Sequence, residues 1–131
     1  MRSETRESLA KARECLAAAK TILGVSLPGV AAKEGYLAAY HAAHAFVMER
    51  TGKPVKTHRG LRIAYARAAR DEQKLDPDFG PLLSRSYKFK EVADYGVGPT
   101  VEITIGDAQA VIGSAERFID AVALILASAG S

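Results

Sequence analysis

The stretch that most constrains this chain runs from Lys33 to His58, KEGYLAAYHAAHAFVMERTGKPVKTH. It reads as a helix that is apolar nearly all round, followed by a polar turn that delivers Lys56, Thr57 and His58. A helix with no solvent face has to lie in the middle of a bundle. At about 100° per residue, Tyr36, Leu37, Tyr40, His44, Val47 and Met48 fall on one broad face, with His41 at its margin. Gly35, Ala38, Ala42 and Ala45 cover the opposite side and are small enough to let a neighbouring helix come close. Gly52 and Pro54 end the pattern. Two of the three histidines lie on this helix and the third follows its exit, so a polar site is looked for here first.

Four more helical patterns flank it. Residues 3–24 carry one apolar stripe, Leu9, Ala12, Leu16, Ala19 and Leu23, with Ser3 as the expected N-cap. Cys15 abuts that stripe and reads as a small core residue. Gly24 and Pro28-Gly29 separate it from the second helix, expected over residues 30–51. Thr57 is the expected cap of a third helix over 58–73, which is strongly two-sided. Leu61, Ala64, Tyr65 and Ala68 face inward, whereas Arg59, Arg62, Arg67, Arg70 and Lys74 gather outside, either as a solvated face or as a phosphate-facing strip. Asp76-Pro77 signals the start of a fourth helix over 77–95. Residues 96–105 form a linker inside the domain, with room for a short extended segment. Thr104 and Asp107 resemble a capping box for a fifth helix over 105–127. The expectation is an all-α protein, an antiparallel up-and-down bundle of four to five helices, in a single domain over residues 1–131.

Composition narrows the class. Hydrophobic residues make up 48% and charged residues 25%, the balance of a globular domain, and no apolar run is long enough to span a bilayer. The amino terminus is charged and lacks an apolar signal core, and one cysteine excludes an internal disulfide. Together they predict a cytoplasmic protein with no membrane partner. The net charge of +3 permits nucleic-acid contact without demanding it.

The chemistry-bearing constellations are few. His41 and His44 are neighbours on a helix surface, yet no acidic or sulfur ligand stands at a spacing that completes a metal set with them and His58. They read either as buried neutral imidazoles or as part of the site, with His41 carried forward as a candidate. GVGPT at 96–100 follows a helix, not a strand, and so is no phosphate loop, and no cofactor motif occurs. What remains is a basic and polar set: Lys53, Lys56, Thr57, His58 and Arg59 entering the third helix, and Lys90, Asp94 and Tyr95 ending the fourth. Adjacent antiparallel helices would bring the end of the fourth to the start of the third.

The order Tyr36-Leu37-Ala38-Ala39-Tyr40-His41-Ala42-Ala43, then Lys56-Thr57-His58-x-Gly60-Leu61, then Ala93-Asp94-Tyr95, then Ala115-x-x-Phe118-Ile119 resembles the HEPN superfamily. The likeness is greatest to small stand-alone bacterial and archaeal members and spans nearly the whole chain. It implies a helical bundle that forms homodimers and acts on or binds RNA or nucleotides. In one role such proteins are metal-independent ribonuclease toxins paired with a small nucleotidyltransferase. In the other they are non-catalytic modules that bind a nucleotide or that partner. The family's ribonuclease signature is Arg, then about four to six residues, then His. Here seven residues separate Arg50 from His58, and Lys53 stands at an allowed distance. Lys90 occupies a position where relatives carry Arg.

The resemblance and the chemistry of metal-free RNA cleavage converge on one assignment. A neutral imidazole takes a proton near pH 7 and a cation stabilises charge on the phosphorus. His58 is the expected base, with Lys53 and Arg50 as its catalytic cations. Lys56, Thr57, Arg59, Lys90, Asp94, Tyr95 and His41 complete the expected binding set, and no metal or cofactor is assigned.

Overall fold

Helix breakers divide the chain as their chemistry requires. A computed structural model describes residues 1–95 and 102–129, the side chains of Tyr95 and Ala129 aside. Five helices occur among the described residues: α1 (Ser3–Gly24), α2 (Pro28–Thr51), α3 (His58–Ala69), α4 (Phe79–Tyr95) and α5 (Ile105–Ala129). No strand forms among them. Of the expected linker, residues 96–101 lie outside the described residues, and α5 begins at Ile105. Among the described residues no helix is long and apolar enough to cross a membrane.

α2 is the centre of the bundle and packs against each of the other four helices. Its buried residues include Gly35 and seven alanines, Ala31, Ala32, Ala38, Ala39, Ala42, Ala43 and Ala45, which explains how four neighbours crowd around one axis. At Gly35 an added Cβ would lie 3.1 and 3.2 Å from the side chains of Val111 and Ile112, so α5 approaches here because no side chain stands in the way. Cys15 is buried, and burial with the nearby Glu34 carboxylate pushes its thiol up to about 11. It packs as a core residue.

The residue pairs fix directions. Thr5 reaches Glu49 and Ser8 reaches His44, so α1 runs against α2. Lys33 pairs with Asp94 and Tyr36 meets Tyr87, so α4 also runs against α2. Phe79 stacks on Phe118 at 4.4 Å, near the start of α4 and the later half of α5. Thus α1, α2, α4 and α5 alternate up and down. The short α3 differs: Tyr36 and Tyr40 meet His58, Phe46 meets Tyr65, and Arg50 meets Glu72. Both numbers climb together, so α3 lies beside α2 in the same direction. Residues 52–57 run back along α2 to allow this, six residues spanning roughly 20 Å when extended.

The caps explain the boundaries. Gly52 adopts φ 70° and donates its N–H to Met48 O, an αL stop. Pro28 takes the first turn of α2, two residues earlier than expected. Thr57 Oγ1 accepts from Gly60 N–H at 2.9 Å, and a Cβ on residue 60 would come within 2.7 Å of that oxygen, so glycine is what lets the cap close. Thr104 and Asp107 exchange hydrogen bonds of 2.9 and 3.0 Å, the reciprocal box expected at the start of α5.

One cap and two further boundaries differ from expectation. Ser3 lies inside α1, and Arg2 is the N-cap residue without a side-chain bond. The Glu49 carboxylate does the anchoring instead, accepting from Arg2 N–H at 2.9 Å and Thr5 Oγ1 at 3.0 Å. α3 stops at Ala69 because Glu72 N–H reaches Ala69 O in a tighter turn that lets Leu75 bury. α4 starts at Phe79 because Asp76 Oδ1 is used two residues on, by Asp78 N–H, to close a preceding turn.

Candidate functional site

His58 opens α3, set there by the Thr57 cap and the returning segment 52–57. Its Nδ1 lies 2.6 Å from the Tyr36 hydroxyl. Tyr36 is 1% exposed, and burial pushes its phenol well above the usual range, so it stays protonated. A phenol both donates and accepts, and when it accepts from Nδ1–H the other nitrogen, Nε2, is the basic one. Tyr36, Tyr40 and Tyr87 pack around the imidazole with ring centroids at 5.7, 4.5 and 5.2 Å. Burial holds the His58 pKa below its ordinary value, and the charges of Lys90 and Arg62 lower it further, while Asp94 opposes them. The ring is therefore neutral at pH 7.

A groove of about 440 Å³ opens beside it, lined by Lys56, Thr57, His58, Arg59, Arg62 and Tyr87. Among the described residues no carboxylate lines it. Lys56 and Arg59 are exposed, and neither forms an ion pair among the described residues. Arg62 turns toward the groove, its guanidinium 5.4 Å from the Tyr87 ring centre. Its Nη1 is closed off from solvent, with no hydrogen-bond partner among the described residues. Lys90 donates to Asp94 Oδ2 at 2.8 Å, and Lys33 pairs with the other oxygen of the same carboxylate. Those two lysines hold the Asp94 carboxyl well below its usual range.

So the fold gathers Lys56, Thr57, Arg59 and His58 in one groove, with Lys90 and Asp94 near enough to bias the imidazole. The side chain of Tyr95 lies outside the described residues. Arg50 is elsewhere: it pairs with Glu72 at 3.0 Å and lies 4.7 Å from the Phe46 ring centre, at the far end of α2. Tyr36 and Arg50 are separated by about 21 Å of helix. Lys53 is at that same end, its backbone tied to Thr51 Oγ1. Missed by sequence reasoning were Tyr36, Tyr87 and Arg62 as members of the site. The signals for Arg62 are its place in the charged strip of the third helix and its position one turn after His58.

His41 and His44 line the α1 side of Tyr40, at 5.1 and 6.3 Å between ring centres. Ser8 Oγ lies 3.0 Å from His44 Nδ1. Among the described residues no group of three His, Cys, Asp or Glu is arranged to hold a metal ion. Burial pushes His41 down to about 4, helped by repulsion from His44, Lys11 and His58, and lowers His44 as well. A folded-state pKa below the unfolded value of 6.5 means that the folded chain binds fewer protons. That stability is complete above about pH 6.5 and is lost as pH falls toward 4. The urea midpoint is expected to drop between about pH 7 and 5, and His41→Gln should flatten the drop. An unchanged slope in that variant would show the ring is not buried in neutral form.

A family model described as the HEPN domain matches residues 5–125. The chain belongs to the HEPN family. It is also similar to a protein of Methanocaldococcus jannaschii named as a "putative toxin", 28% identical over 123 residues, which cover 93% of this chain and 88% of that one. The match takes in all of α2, α3 and α4, hence every residue of the groove, so the HEPN region and the His58 site coincide.

Proposed function

We propose that this HEPN protein is a metal-independent endoribonuclease, the toxin of a pair whose other member is a small nucleotidyltransferase, and that it works as a homodimer in the cytoplasm. The observation that carries the reading is an imidazole bonded to a buried phenol at the edge of a groove lined, among the described residues, by three cations and no acid. The similarity to a protein named as a putative toxin supports the biological half.

In the reaction His58 Nε2 removes the proton from a ribose 2′-hydroxyl. The 2′-oxygen attacks the adjacent phosphorus, and the bond to the 5′-oxygen breaks. The leaving oxygen takes up a proton from the imidazolium or water, giving a 2′,3′-cyclic phosphate and a 5′-hydroxyl. Lys56, Arg59 and Lys90 stabilise the charge on the phosphorane oxygens, as point charges or, for arginine, as a planar fork. Tyr36 holds the tautomer, and Asp94 orients the cations. Arg50 and Lys53 belong to this scheme only in a second copy, if the dimer brings their end of α2 to the groove.

One observation favours a second reading, a non-catalytic module that binds a nucleotide or docks the nucleotidyltransferase. The arginine nearest before His58, Arg50, is engaged by Glu72.

Incubating the purified protein with single-stranded RNA in EDTA separates the two. The nuclease yields 5′-hydroxyl ends, and its rate rises with pH along an acid limb whose midpoint lies below the ordinary histidine value of 6.5. No cleavage in EDTA leaves the binding module.

A further inference from the structure

We infer that the outer face of α3 is a track for the backbone of single-stranded RNA, leading from Arg70 to the groove at His58. The direction of that track rests on the proposed nuclease reading; its existence rests on charge and geometry.

Between Glu49 and Asp71 the chain has seven Lys or Arg and no acid: Arg50, Lys53, Lys56, Arg59, Arg62, Arg67 and Arg70. Everywhere else acids predominate, since the whole chain has 18 Lys or Arg against 15 Asp or Glu. Arg50 is used by Glu72, whereas Arg59, Arg67 and Arg70 are exposed and form no ion pair among the described residues. Arg59 and Arg67 on α3, with Ile63, Ala66 and the C-cap residue Arg70, share a sector of about 100°. From Arg59 to Arg70 the helix rises roughly 16 Å, enough for several phosphates of one strand.

The bland account, a solvated face tuned to the helix dipole, explains Arg67 near the carboxyl end of α3. It fails at the other end. Lys56, Arg59 and Arg62 gather where the dipole is already positive, and the first turn of α3 holds no acid. Cations concentrated there repel the dipole and each other, and a bound anion is what offsets that cost. A protein partner fits less well. Interface centres are apolar and poor in charge, and the one large apolar side chain exposed on α3 is Ile63, at 46%. The rings of Tyr87 and His58 at the groove add a stacking surface of the kind that single-stranded binders use.

The probe is a fluorescent 2′-O-methyl 12-mer, which lacks the attacking hydroxyl and so reports binding alone. Arg67→Gln/Arg70→Gln is expected to weaken it roughly tenfold at low salt and to reduce the slope of log K against log salt by about 1.4. Arg6→Gln/Arg13→Gln removes two cations from α1 and should leave the slope unchanged. A 3-mer, which cannot reach from the groove to Arg67, should bind the first variant as it binds the parent. Equal slopes in the two double variants, or no binding of the 12-mer, would overturn the track; in the first case an acidic protein face becomes the occupant of these arginines. The nuclease reading fails separately: slope loss without cleavage of an all-ribose 12-mer keeps the track and removes the nuclease.

Discussion

His58→Ala is expected to lower RNA cleavage by about two to four orders of magnitude, the span of a positioned general base. The folded state should survive, because His58 is only half-buried and its cap, Thr57 to Gly60, does not use the imidazole. Tyr36→Phe tests the same idea from behind the ring. It keeps the aromatic packing and deletes the hydroxyl at 2.6 Å from Nδ1. Stability should fall by about 0.5–1.5 kcal/mol, the net worth of one hydrogen bond. The rate should fall roughly tenfold, since either tautomer then competes. Combined with His58→Ala, Tyr36→Phe should cost nothing more, because a tautomer lock is useless without the ring. Gel assays in EDTA with 5′-end analysis give all three rates. A His58→Ala protein that cleaves at the parent rate would remove the mechanism, and additive losses would give Tyr36 a role independent of the imidazole.

The residues of that site differed in how legible they were. Lys56, Thr57, His58 and Arg59 are contiguous, so finding one found all. Lys90 and Asp94 followed from the antiparallel pairing of α3 with α4, which the contacts Tyr65 with Gly80 and Arg62 with Tyr87 bear out. Arg50 looked like a neighbour because it is close in sequence. Residues 52–57 run back along α2, however, and a short stretch of extended chain covers the length of many helical residues. Chain proximity across a return segment therefore says little about distance. Tyr36 and Tyr87 were hidden for a different reason: an aromatic on a buried face reads as core until the register of three helices is known. Periodicity places Arg62 with the outer charges, because it cannot show a guanidinium curling over a ring. The helices themselves were legible from Gly52, Thr57 and the Thr104–Asp107 box, where local chemistry alone decides the boundary. They were less legible at Ser3 and Asp76, where the Glu49 anchor and a preceding turn take over the capping.

Phe118→Ala should cost about 3–5 kcal/mol, the range for removing a fully buried aromatic ring. Phe118 on α5 is 0% exposed. It stacks on Phe79 of α4 at 4.4 Å and meets the edge of Tyr65 of α3 at 5.3 Å, and Tyr65 in turn meets Phe46 of α2. The ring is held between α4 and α3, with α2 reaching it only through Tyr65, and closing the space would require both aromatic neighbours to move. Set against the 5–15 kcal/mol that holds a typical domain, the loss is a large share of the total. Phe118→Leu keeps most of the volume and should cost clearly less. Leu124→Ala on the same helix, 68% exposed, should stay within about 0.5 kcal/mol. Urea unfolding of the three variants ranks them, and a Phe118→Ala loss below about 1 kcal/mol would mean the helices are not clamped there. The same clamp reaches the groove. Tyr65 and Phe79 set how α3 lies against α4, and that register brings Tyr87 to His58. A Phe118→Leu protein that remains folded should therefore lose nuclease activity beyond its unfolded fraction, although the substituted ring lies outside the groove.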